Sequence, residues 1–166
     1  MAHRIHEKAT SMSIRILGLD PALFRHLYGR SADDLARLGV RRCIVDAKPG
    51  FPDRVTLRDV EPGRTALLLN FMHQPANSPF RSSHAIYVEE GAEQRYDVIG
   101  EVPEAILART ISLRAFDAAG NMVDGDLTEG AAITPLAERL LSHPSVSYLH
   151  AHYARFGCFA ARIERA

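Results

Sequence analysis

The chain has 166 residues, of which 46% are hydrophobic and 24% charged, the size and composition of one ordinary globular domain. Its 20 basic and 20 acidic side chains cancel to a formal net charge of zero. Nucleic acids and anionic membrane surfaces attract clustered Lys and Arg, so this balance argues against both as partners. No apolar run approaches the roughly 20 residues that span a bilayer.

The N-terminal residues are polar and lack the apolar segment of a secretory signal, so we expect a cytoplasmic protein. In that compartment Cys43 and Cys158, which are far apart and in no zinc-ribbon spacing, are expected to be reduced. Residues 1–12 are predicted to be a flexible tail, and either Met1 or Met12 could be the native start. Residues 13–166 are predicted to form a single domain.

The first half of the chain predicts short strands and two short helices. A strand over residues 13–19 ends at Asp20 and Pro21, a typical helix start, and a second helix begins at Ser31 and ends at Gly39. Three further strands are predicted over residues 41–47, 54–59 and 65–71. The last is a continuous apolar run, which is typical of a central strand.

Residues 72–83 are predicted to be a polar loop of about a dozen residues, a length that is often functional. Strands at 84–89, 109–117 and 122–127, short helices at 103–108 and from Thr134, and a final β-hairpin complete the chain. There is no βαβ rhythm with Gly-rich loops. The sequence therefore predicts an α+β fold, with a mainly antiparallel curved sheet, a few short helices and a C-terminal β-hairpin.

The final hairpin, residues 146–163, is the stretch richest in reactive side chains. A three-residue loop at 155–157, closed by Gly157 with positive φ, predicts His152 opposite Ala160 and His150 opposite Arg162. One face then carries the two histidines, Arg162 and Cys158. The other face is predicted to be apolar and to carry Leu149, Ala151, Tyr153, Phe159, Ala161 and Ile163.

Five segments in order resemble a bacterial family catalogued as domain of unknown function 1203. They are V-D-A-K-P-G-F-P-D-R-V, E-P-G-R-T-A-L-L-L-N-F, H-Q-P-A-N-S-P-F-R-S-S-H-A-I-Y-V, S-L-R-A-F-D-A-A-G-N-M-V-D-G and L-H-A-H-Y-A-R-F-G-C-F-A-A-R. The resemblance covers about residues 15–165 and implies a small bacterial single-domain protein. It implies no reaction, cofactor or catalytic residue.

His150 and His152 are two residues apart on a predicted strand, so both imidazoles should project from one face. That spacing suits a divalent metal such as zinc, and His73 or His84 could supply a third ligand. The same histidines could instead transfer protons without a metal. In either case the residues predicted to be catalytic are His150, His152, His84 and Cys158.

The hairpin face is predicted to form the floor of a small-molecule pocket, with the 72–83 loop as its rim. Arg114 lies on an otherwise apolar strand, where an unpaired charge would be costly, so it should find a partner or a ligand. The candidate substrate-binding residues are His73, Arg81, Ser83, Arg114, Asp124 and Arg162. Two alternatives stay open: a non-catalytic module that binds an anionic metabolite through arginines, and an interaction domain that forms a homodimer.

Overall fold

The computed structural model describes residues 12–166, which form two antiparallel sheets joined by short helices and turns. The α+β class, the antiparallel pairing and the C-terminal hairpin are confirmed, although the strands divide between two sheets where one was expected. Most of the predicted tail lies outside the described residues. Its last residue, Met12, packs against the core of the larger sheet.

The larger sheet has six strands in the order β5-β1-β9-β8-β6-β7, and the smaller has three in the order β2-β3-β4. Every neighbouring pair of these strands is antiparallel. The strands are β1 (Ile14–Leu17), β2 (Arg41–Ile44), β3 (Thr65–Gln74), β4 (Ser82–Glu89), β5 (Asp97–Ile99), β6 (Thr110–Phe116), β7 (Met122–Glu129), β8 (Tyr148–Tyr153) and β9 (Phe159–Arg165).

The helices are short, and side-chain caps start two of them. The carboxylate of Asp20 accepts the Ala22 N–H at 2.9 Å, and the hydroxyl of Ser31 accepts the Asp34 N–H at 3.1 Å, as the sequence predicted. Within residues 12–166, none of the helices combines the length and the apolarity needed to cross a membrane. The described helices are α1 (Ala32–Arg37), α2 (Glu104–Leu107), α3 (Ile133–Leu141) and three 3₁₀ turns (Pro21–Leu23, Arg25–Leu27 and Gly130–Ala132).

The centre of the six-stranded sheet, at β8 and β9, is buried on both faces, whereas the edge strands β5 and β7 are largely exposed. On one face α3 covers an aliphatic core, in which Leu113 and Leu149 from the sheet lie in one cluster with Ile133 and Leu141 from the helix. We call this the aliphatic face. Burying each such side chain stabilises the folded state by about 1.5–3 kcal/mol, so this layer supplies much of the fold's stability.

The other face, which we call the histidine face, is covered by the end of β3 from the smaller sheet. Phe71 of β3 contacts Phe159 of β9, with ring centroids 6.4 Å apart. Three residues further along, the amide of Gln74 donates to the hydroxyl of Tyr148 at 2.8 Å. These contacts bring one strand of the small sheet over the centre of the large one.

Two predicted segments differ from the structure. Residues 54–59 form turns where a strand was expected, because the Asp53 carboxylate accepts the backbone N–H groups of Val55, Thr56 and Glu89 and holds the segment bent. Val55 and Leu57 are nonetheless buried, as predicted. The predicted loop at 72–83 is only residues 75–81, since β3 and β4 extend their ladder into it.

The final hairpin has one more irregularity than predicted. His150 pairs with Arg162 as expected, but a β-bulge follows, so His152 faces Phe159 and not Ala160. The predicted register is therefore wrong beyond this point, and Phe159 lies on the histidine face. The guanidinium of Arg54, which donates to the Phe159 carbonyl at 2.7 Å, holds the bulged segment in place.

Candidate metal centre

Three histidines converge between the two sheets. His150 and His152 alternate along β8 and so share a face, while His73 comes from β3 of the other sheet. One ligand atom from each residue lies within 4.8 Å of the corresponding atom of the other two. All three side chains are buried, with exposed fractions of 9% for His73, 3% for His150 and 1% for His152.

A β-bulge positions His73. Met72 pairs with Ser83 and Gln74 pairs with Ser82, so His73 is the extra residue between them. Bulges re-aim side chains and are common beside functional sites. The His73 ring stacks on Phe159 with a centroid distance of 5.3 Å and an interplanar angle of 7°. The His73 and His152 rings are nearly perpendicular, with centroids 5.0 Å apart.

The hydrogen bonds of the cluster leave several ring nitrogens without partners. The Nδ1 of His152 lies 2.9 Å from the carbonyl oxygen of Gly157. A carbonyl only accepts, so Nδ1 carries the proton and the lone pair lies on Nε2, as in metal-bound histidines oriented by a backbone carbonyl. That Nε2 is buried without a hydrogen-bond partner in the part of the chain that the structure describes, as are the Nδ1 atoms of His73 and His150.

All three imidazoles are neutral near pH 7. Burial, with smaller contributions from the neighbouring histidines and arginines, lowers the pKa of His150 to about 3. Burial likewise lowers the pKa of His152 to about 3 and that of His73 to about 4. Neutral imidazole is the form that binds a metal ion, since protonation occupies the lone pair.

The walls of the cluster are aromatic, with two arginines beside it. Arg114 pairs with His150 across β6 and β8 and is half-buried. Within residues 12–166 its guanidinium makes no hydrogen bond or ion pair, and burial lowers the pKa of that group. Arg162 differs, because it donates to Glu164 at 2.5 Å and lies over the ring of Tyr148. The remaining aromatic neighbours of His150 are Phe116, Tyr148 and Phe159.

Two residues predicted to be catalytic are not members of the three-histidine cluster, although, in addition to burial, His84 contributes to lowering the pKa values of His73 and His152. Cys158 belongs to the core with Tyr153, on the other side of the bulge from His152. His84 faces Phe71 across β3 and β4, is half-buried, and lies 3.2 Å (Nδ1) from the Ala85 carbonyl oxygen. Both line a cavity whose wall, as the structure describes it, includes neither His150 nor His152. The pocket floored by the hairpin histidines therefore stays a prediction.

The predicted substrate-binding residues are dispersed. His73 and Arg114 lie at the cluster, and Arg162 is close enough for its charge to act on His150. Arg81 is exposed and donates to the Pro75 carbonyl, and Ser83 is exposed on β4. Asp124 pairs with Ala115, so it lies on the opposite side of the sheet from Arg114, where it accepts the Gly125 N–H at 2.7 Å.

Sequence reasoning missed the cavity, which has a volume of about 700 Å³. Besides His84 and Cys158, which line it and were predicted to be catalytic, its signal in the sequence was Arg54, a charged residue inside a stretch with an alternating apolar pattern. The structure buries Arg54 to 1% exposure beneath this cavity. The cavity is lined by Pro49, Gly50, Pro52, Arg54, Leu68, His84, Ala85, Tyr87, Ala108, Arg109, Thr110, Tyr153, Arg155, Phe156 and Cys158.

Comparison with known proteins gives a family without an assigned activity. No curated protein matches the chain, and no solved structure matches it. A family model described as "Protein of unknown function (DUF1203)" matches residues 50–165, a range that includes all three converging histidines. The match covers well over half of the sequence and agrees with the resemblance seen in its motifs. The chain therefore belongs to the DUF1203 family.

Proposed function

We propose that this protein binds a divalent transition metal such as Zn²⁺ through His73, His150 and His152, and that it is a metal-dependent enzyme. The observation that carries the proposal is the convergence of three buried imidazoles with ligand atoms within 4.8 Å of one another. Imidazole nitrogen is a preferred ligand for zinc, copper, nickel and iron. Three protein ligands leave one position of a tetrahedral ion open, which is typical of catalytic zinc sites.

The unpartnered ring nitrogens support this proposal. Buried polar atoms nearly always have a partner, and each exception needs an explanation. His73, His150 and His152 each have one such nitrogen, and all three belong to the same cluster. The Gly157 carbonyl, which orients the His152 ring, would be the outer-shell partner that metal-bound histidines usually have.

The metal would act as a Lewis acid that polarises a bound substrate group. Arg114 would place a positive charge beside that group, which favours an anionic substrate or intermediate. Proton transfer by the histidines without a metal is less well supported. General acid–base catalysis is most efficient when the pKa lies near the operating pH, and burial lowers the pKa values of these histidines to about 3–4.

Metal analysis of the purified, untagged protein tests the proposal. Elemental analysis should find about one metal ion per chain in the wild type, and near zero in a His150→Ala/His152→Ala double variant. His26→Ala is the matched control, because His26 is exposed on a 3₁₀ turn remote from the cluster, and it should retain the metal. Near-zero metal in all three proteins, including after incubation with Zn²⁺, would contradict the proposal.

A second candidate function is the binding of an anionic metabolite without catalysis. Of Arg81, Arg114 and Arg162, only Arg114 supports it. Arg81 and Arg162 already have partners, whereas Arg114 makes no hydrogen bond or ion pair within the described residues. Carboxylates or phosphates should then raise the melting temperature of the wild type but not of Arg114→Gln. If these anions still raise the melting temperature in the presence of a chelator, anion binding does not depend on the metal.

A further inference from the structure

We propose that the 700 Å³ cavity is a binding site for a small carboxylate with an apolar body, separate from the histidine cluster. Its volume lies within the range of about 300–1,000 Å³ typical of small-molecule sites. Its wall is largely apolar: Pro49 and Pro52 from the segment after β2, Leu68 and Tyr87 from the small sheet, and Phe156 from the hairpin loop. An apolar ligand body would fit such a wall.

The charged residues that line the cavity within residues 12–166 are all arginines. Arg54, Arg109 and Arg155 lie on its wall, with no Asp or Glu among the lining residues of that range. Arg109 is neutralised by the buried carboxylate of Asp59, with N···O distances of 2.6 and 2.8 Å. The remaining basic groups give the cavity a positive potential, which favours an anion.

Arg54 carries a buried charge without a counter-charge among the described residues. Its guanidinium is 1% exposed and donates to three acceptors: the carbonyls of Pro52 and Phe159, and the sulfur of Cys158 at 3.2 Å. Within residues 12–166 it forms no ion pair with a carboxylate. A buried charge without a counter-charge is costly, and a bound anion would reduce that cost.

Tyr153 adds an unused hydrogen-bonding group. Two guanidinium groups lie over its ring, with Cζ-to-centroid distances of 4.8 Å for Arg54 and 5.1 Å for Arg109. The side chain is 3% exposed and lines the cavity, and its hydroxyl has no hydrogen-bond partner among residues 12–166. Burial raises the pKa of Tyr153 to about 12, so the hydroxyl keeps its proton and can donate to a carboxylate.

A monoanion with an apolar body would match both the positive charge and the apolar wall of the cavity. Its carboxylate would accept from Tyr153 and lie in the positive potential of Arg54, while its body would contact the proline and aromatic walls. Arg54 and Arg109 already donate three hydrogen bonds each to protein acceptors. Tyr153 instead offers the ligand a buried hydroxyl that has no partner among the described residues.

Titration with matched acids and amides tests the proposal. Phenylacetate and hexanoate should bind at least tenfold more tightly than phenylacetamide and hexanamide, measured by calorimetry and by amide chemical shifts near pH 7 with EDTA present. The shifts should concentrate at residues 49–54, 108–110 and 153–158. Three results would each overturn the proposal: equal affinity of acid and amide, no binding by either acid, or chemical-shift changes confined to β7.

Two variants separate binding from folding. Tyr153→Phe removes only the unpartnered hydroxyl, so its unfolding midpoint should be unchanged or higher, while the affinity for phenylacetate should fall about tenfold. Ala85→Trp, at an exposed position on the cavity wall, should block binding by filling space. Tyr148→Phe is the matched control, because it removes a hydroxyl at the histidine cluster and should leave the affinity unchanged.

The metal proposal and this one fail independently. The His150→Ala/His152→Ala variant should bind phenylacetate as the wild type does, because neither histidine lines the cavity. Loss of carboxylate binding in that variant, with its fold intact, would place the anion at the histidine cluster and overturn the separate site. Retained affinity in Tyr153→Phe would also overturn it.

Discussion

At the centre of the six-stranded sheet, along β8, both faces are buried but serve opposite purposes. Along β8, Leu149 and Ala151 point to the aliphatic face under α3, while His150 and His152 point to the face under β3. The aliphatic face contains groups that gain free energy by leaving water. The histidine face contains imidazoles with unpartnered nitrogens, which lose free energy on burial unless something binds them.

This difference separates the residues that stabilise the fold from those that carry its chemistry. One strand supplies both sets because side chains alternate across a sheet. Substitutions of neighbouring residues on β8 should therefore have opposite consequences. On the aliphatic face, any change in side-chain volume should lower the stability of the fold. On the histidine face, apolar replacements should leave the fold stable but abolish the chemical function.

The largest expected effect is acid destabilisation of the metal-free protein. The folded-state pKa values of His73, His150 and His152 lie at about 3–4, below the unfolded value of about 6.5. Between these values the unfolded chain binds more protons, so the free energy of unfolding falls as the pH falls from about 6.5 towards 3. Urea unfolding in EDTA at a series of pH values measures this slope, and His150→Leu should make it shallower. An identical slope in that variant would contradict the prediction.

On the aliphatic face, Leu149→Ala should lower the free energy of unfolding by about 2–5 kcal/mol. Leu149 is 0% exposed and lies in the central cluster, so truncation leaves a cavity that α3 cannot fill without moving. Chemical denaturation near pH 7 measures the loss. A change below about 1 kcal/mol would mean that this face is loosely packed.

The adjacent replacement, His150→Leu, should raise the free energy of unfolding of the metal-free protein by about 1 kcal/mol. It removes a buried nitrogen that has no partner and keeps a side chain of similar volume among aromatic rings. The same variant should lose all stabilisation by Zn²⁺. Destabilisation comparable with that of Leu149→Ala would show that the His150 ring itself holds the two sheets together.

The smallest effect is expected at the rim of the aliphatic face. Arg139 of α3 pairs with Asp126 of β7 at 3.1 Å, and both side chains are more than half exposed. Exposed ion pairs contribute about 0–1 kcal/mol, so Arg139→Ala should change the unfolding midpoint little. A loss above about 1 kcal/mol would indicate that this contact, and not the apolar layer, positions α3.

The sequence predicted the elements that depend on local chemistry. The caps at Asp20 and Ser31, the left-handed Gly157 and the shared face of His150 and His152 all follow from short-range rules. The strand β5 was not predicted, because three residues at a sheet edge carry too little pattern.

The candidate site could be predicted only in part. His73 was one of two proposed third ligands, but sequence spacing cannot show that β3 crosses the larger sheet at that residue. The bulges beside His73 and Phe159 also escaped prediction, since alternation assumes an unbroken ladder. The burial of Arg54 depends on contacts with the hairpin more than a hundred residues away, which no local pattern encodes.

Because the three imidazoles come from both sheets, an ion held by them would also act as a cross-link. The end of β3 could then separate from β8 only after the ion dissociated. Amide hydrogen exchange at residues 71–74 would slow on metal loading, while exchange in β2, at the far edge of the small sheet, would keep its rate. Metal occupancy would thus set how tightly the two halves of the molecule are joined.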